Sequence, residues 1–138
     1  MQHDFRLQAF LLCDKVIREA SGKAHIQGVF DRIWAPKFPA MHAQMTAYYR
    51  VGLPQGYQPR TMCLNVMGPE MLRVKMPDLA VATPKARLLE GQINIQGFLF
   101  PTPGRYTFFF VVDGKDVAEY GITLIPLQQD GTRNADAN

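Results

Sequence analysis

The chain has 138 residues, 47% of them hydrophobic and 20% charged, which fits one globular domain and is far too apolar for intrinsic disorder. A net charge of +3 and a pI near 9.0 favour acidic partners only weakly, because the fifteen Lys and Arg are scattered singly and form no basic run. Two cysteines, Cys13 and Cys63, are too few for a disulfide framework, and no apolar run approaches the ~18 residues of a membrane span.

The start, Met1-Gln2-His3-Asp4, lacks the basic residues of a signal peptide. The apolar stretch Leu7–Cys13 is broken by Gln8, and bulky Leu12 stands where a lipoprotein cleavage site needs a small residue. The expectation is a cytoplasmic protein with reduced thiols. From Asp4 onward, apolar and polar residues alternate, the pattern of half-buried strands. Phe5, Leu7, Ala9, Leu11 and Cys13 collect on one side, which predicts that they face the core. A short strand at Val16–Arg18, a turn at Ala20-Ser21-Gly22-Lys23 and a strand from Ala24 to Phe30 follow.

Trp34 to Pro39 reads as an irregular edge or loop, since Pro36 and Pro39 each remove a backbone donor and restrict the preceding residue. Gln44 to Val51 alternates strictly, with Met45, Ala47, Tyr49 and Val51 predicted inward. Thr61–Met67 is a further strand ended by Gly68-Pro69, and Leu72, Val74 and Met76 suggest another short one. The run from Arg87 to Leu99 is the most regular, with Leu89, Gly91, Ile93, Ile95, Gly97 and Leu99 predicted on one face.

Pro101-Thr102-Pro103-Gly104 is a rigid turn into Tyr106–Val112, which is apolar on both faces. Asp113-Gly114 marks a tight hairpin, and the return strand to Ile125 places Ala118, Tyr120, Ile122 and Leu124 on one face. Some eight short strands with Pro and Gly turns, and no long helix, predict an all-β, two-sheet antiparallel sandwich, immunoglobulin-like or related. The expected domain spans residues 1–127, with 128–138 a flexible tail. The order Cys13, Trp34, Cys63 does not have the spacing of an immunoglobulin disulfide.

Gly22-Lys23 followed by Ala24-His25-Ile26-Gln27-Gly28-Val29-Phe30-Asp31 and Phe38-Pro39, after Leu11-Leu12-Cys13-Asp14, resembles a family of small bacterial proteins filed as a domain of unknown function. The resemblance is carried by the first third of the chain. It implies a β-sandwich and assigns no site.

Reactive constellations are hard to find. His3, His25, His42 and the two cysteines lack the two-to-four-residue spacing of zinc sites, so no metal or cofactor is expected. Ser21, the sole serine, lies in a turn with no base beside it, and no phosphate-cradling glycine pattern occurs, so no catalytic residue is named. The function expected is a non-enzymatic protein-interaction or structural module of a bacterial cytoplasmic assembly, with a protein partner or self-association. One candidate surface is the two-faced aromatic strand, where Phe109 and Val111 need a cover. The other is Arg32, Trp34, Lys37 and Phe38, an anchor-like set stiffened by prolines. A weakly specific nucleic-acid binder, stacking bases beside cations, is one alternative. An enzyme or ligand binder whose site is assembled from distant residues is the other.

Overall fold

A computed structural model describes residues 5–81 and 83–127. These form nine strands: β1 (Arg6–Arg18), β2 (Ala24–Val29), β3 (Arg32–Ala35), β4 (Ala40–Gly52), β5 (Met62–Met67), β6 (Arg73–Lys75), β7 (Leu88–Phe100), β8 (Gly104–Val112) and β9 (Lys115–Pro126). They build a two-sheet sandwich. One sheet has the order β2-β1-β4-β7, the other β3-β9-β8-β5-β6. Every pairing is antiparallel except β3 with β9, which is parallel. Residues 128–138, expected to be a tail, lie outside the described residues.

Alternation sets the core. Met45, Ala47, Tyr49 and Val51 of β4 are all buried, and they meet Tyr106, Phe108, Phe110 and Val112 from β8 in the other sheet. Ala118, Ile122 and Leu124 of β9 complete that wall. The turn into β8 is locked by Tyr106, whose hydroxyl donates to the Thr102 carbonyl at 2.7 Å and accepts from the Thr102 amide at 3.2 Å. Its ring lies on Gly68, where a Cβ would fall 2.6 Å from the Tyr106 ring. Tyr106→Phe, which keeps the ring and deletes both bonds, should lower unfolding free energy by about 2 kcal/mol in chemical denaturation.

The structure departs from the sequence expectation in three places. Trp34 and Ala35, read as the start of an irregular edge or loop, are strand: they end β3 (Arg32–Ala35), which does form the edge of its sheet. The prolines at 36 and 39 fall beyond the strand, so the donors β3 needs lie upstream of both, and Leu127 still donates to Ala35. On β1, Phe5 packs against the core as expected, but past a register shift between Leu7 and Ala9 it is Phe10 and Leu12 that enter the core, while Leu7 is exposed. At the far end of β7, Phe98 and Phe100 are buried and Leu99 is 48% exposed. Gly97, at φ 66°, turns the strand over just before them.

Cys13 is buried, but on the face of its sheet opposite the core cluster. Its Sγ lies 3.6 Å from the Lys15 carbonyl oxygen and 3.5 Å from that of Thr46. Arg18 bonds Gln92 at 3.2 Å and pairs with Glu90 at 2.9 Å, both on β7 and two strands away from β1. The hairpin therefore lies back across the outer face of its own sheet. The bend falls where Gly28, at φ 71°, sits against Asp14; a Cβ there would come 2.2 Å from the carboxylate. Beneath it Thr46 and Tyr48 are buried on what alternation makes the outer face.

Candidate functional site

The predicted surface residues do not form one patch. Trp34 and Lys37 line a cleft of about 290 Å³ under the crossover from β3 to β4, with Pro36, Met41 and His42 on its walls. Phe38 turns inward and packs against the core. Arg32 is exposed on β3, near the Asp31 carboxylate at 4.0 Å, and is not part of the cleft wall.

Phe109 and Val111 lie on the outer face of β8, opposite Asn65 and Cys63 of β5. Val111 is only 6% exposed, so the isolated chain already covers it. Phe109 is half-buried in a hollow of about 270 Å³ bordered by Arg73, Lys75 and Asp116. Trp34 pairs with Ile125 and Phe109 with Glu119, which separates the two regions by roughly 20 Å along β9.

Burial pushes both thiols above their ordinary range, with the nearby Asp14 charge adding to the effect at Cys13, so neither is a ready thiolate. Both cysteines are free. His25 pairs with Glu19 on the hairpin, and the His42 ring rests 5.8 Å from that of Phe30. Among the described residues, no group of three or more His, Cys, Asp or Glu stands close enough to hold a metal ion.

The feature the sequence reading missed is an edge. β7 ends its sheet, and among the described residues the backbone of 89–99 bonds only to β4. Two hollows open along it between the sheets. One of about 540 Å³ runs beside Val74, Met76, Pro77, Ile95 and Leu99. The other, of about 400 Å³, is mixed in character: Met62, Leu79 and Ile93 share its lining with Glu90, Gln92 and Asn94. Unpaired donors and acceptors with apolar hollows alongside are what an added strand requires. The signal in the sequence was the lack of charge from Gly91 to Leu99, since edges are ordinarily blunted by Lys, Pro or inward charge.

Fold and surface together define an all-β sandwich whose accessible features are an open sheet edge and shallow hollows. The chain belongs to DUF6941, a family of unknown function whose profile matches residues 8–125, well beyond the first third that carries the resemblance in sequence. No curated protein matches the chain. No helix among the described residues is long and apolar enough to cross a membrane.

Proposed function

We propose that this protein is a non-enzymatic interaction module, immunoglobulin-like in build, that joins a bacterial cytoplasmic assembly by binding another protein strand. The observation that carries the reading is the β7 edge, unpaired among the described residues, with a largely apolar hollow beside Ile95 and Leu99 and a mixed one beside Ile93. The hydroxyl-to-backbone lock of Tyr106 at the entry to β8 supports the immunoglobulin-like build, where such a tyrosine corner recurs. Two free, buried cysteines suit a reducing compartment.

The test is affinity isolation of a tagged chain co-expressed with an untagged copy, with and without nuclease, at low and high salt. A protein retained under every condition, whether the untagged copy or another chain, is the expected result. It should be lost when Gln96→Lys sets a charge on that edge. Material released by nuclease or salt would move the reading to nucleic acid. Nothing retained would end the interaction reading.

A further inference from the structure

The free edge carries a symmetry that names its partner. Residues 91–97 read Gly-Gln-Ile-Asn-Ile-Gln-Gly, the same in both directions about Asn94. In an antiparallel ladder between two copies, a two-fold axis through Asn94 sets Ile93 opposite Ile95, Gln92 opposite Gln96 and Gly91 opposite Gly97. We propose that a second copy of this chain is the partner strand, pairing β7 with β7 across that axis to make one continuous sheet of eight strands. This rests on the reading of the chain as an interaction module.

The two faces agree with the pairing. Ile93 and Ile95 point to the core side, 8% and 3% exposed, and each would meet its counterpart over the mouths of the two hollows. The opposite face brings Gln and Asn against Gln and Asn; Gln92 Oε1 already accepts from Arg18 at 3.2 Å, and its amide group can still donate to Gln96 of the second copy. No charged residue lies between 91 and 97, so no like charges face each other in that register. The Thr46 hydroxyl donates to Asn94 Oδ1 at 3.2 Å, which holds the residue on the axis and leaves its amide group free to donate. The register is selected too. Moving the ladder one residue either way would set core-facing isoleucines opposite solvent-facing amides.

The experiment is sedimentation of the full chain together with oxidative cross-linking. Residues opposite each other in an antiparallel pair stand about 4.5–5.5 Å apart at Cα, inside the roughly 4.4–6.8 Å that a disulfide spans. Wild type is expected to sediment as a dimer. Asn94→Cys should cross-link to itself with diamide, while Arg105→Cys, exposed on the other sheet, should not. Gln92→Cys and Gln96→Cys should cross-link when mixed but not separately, which reads the register. Asn94→Lys sets two cations on the axis and should weaken association by roughly tenfold or more, with Gln96→Lys as the second variant should the first not fold. A wild-type monomer would overturn the proposal, and a monomer that still retains another protein would leave the interaction reading standing. A dimer that Asn94→Cys does not cross-link, or that survives both lysine variants, would place the second copy elsewhere and overturn it as well.

Discussion

Phe110→Ala is expected to cost about 3–5 kcal/mol of unfolding free energy, a large share of the roughly 5–15 kcal/mol a domain commands. Phe110 is wholly buried on β8, and its ring stacks on two rings from the other sheet. Tyr49 lies 4.6 Å away at 28°, and Phe10 lies 5.8 Å away at 23°. This stack bridges the layers, as do Phe98 with Phe108 and Phe100 with Tyr106, and truncation leaves a cavity that the surrounding strands cannot fully collapse into. The matched control is Phe109→Ala, one residue away and facing outward, half-buried in its hollow. It should cost about 1 kcal/mol. Urea denaturation of both variants checks the assignment, and equal losses would mean the faces of β8 are drawn the wrong way round.

The inward faces of β4 and β9 were legible from sequence because polar or charged residues such as Gln44, Arg50 and Glu119 mark the outward positions, whereas β8 is apolar on both faces and Phe109 and Val111 could be read only as a side that needs a cover. β1 was not legible for a physical reason. Phe5, Leu7, Ala9, Leu11 and Cys13 on one side compete with Phe10 and Leu12 on the other, and a register shift between Leu7 and Ala9 lets Phe5 from the first set and Phe10 and Leu12 from the second pack on the core. A bulge leaves little trace in a single sequence. The same holds for Leu99, where the turn at Gly97 inverts an alternation that looked unbroken. Strand β3 was hidden because four residues beside two prolines show no period, and its parallel partner lies some ninety residues away, as the pairing of Arg32 with Thr123 shows.

The candidate site was harder still. Trp34 and Lys37 do share a cleft, but Phe38 serves the core, and Val111 is covered by its own sheet. Whether a strand is an edge depends on sheet order and not on the strand itself. The repeat of Gly91–Gly97 read backwards was therefore present in the sequence but had no meaning until β7 was placed last in its sheet. Likewise nothing local told that the β1–β2 hairpin would cover Thr46 and Tyr48, since the Arg18 contacts with Gln92 and Glu90 join residues more than seventy positions apart.

Asp113→Ala is expected to lose about 3 kcal/mol at neutral pH, an effect well beyond that of an ordinary turn substitution. Asp113 sits at φ 50°, a conformation that Asp and Asn tolerate better than Ala. Its carboxylate also ties the β8–β9 hairpin to the segment leading into β5. It accepts from the Arg60 and Thr61 amides at 2.8 and 2.9 Å and from the Tyr57 hydroxyl at 2.5 Å. Burial alone would raise its pKa, but these bonds outweigh burial and hold it below the ordinary value. The same contact pushes Tyr57 up to about 12, chiefly through its bond to Asp113. A carboxyl whose folded pKa is depressed contributes stability above its unfolded value, near 4, and loses it as pH falls through the folded one. For Tyr57 the direction reverses: stability is full below about 10, the unfolded value, and declines as pH rises towards 12. Asp113→Asn keeps the backbone conformation and an acceptor oxygen but removes the charge. It should therefore cost less than Ala at pH 7 and flatten the acid limb of stability. Urea midpoints from pH 3 to pH 8 for wild type, Asn and Ala separate the turn geometry from the charge. If Asn and wild type lose stability in parallel on acidification, the carboxylate is not what links these two segments.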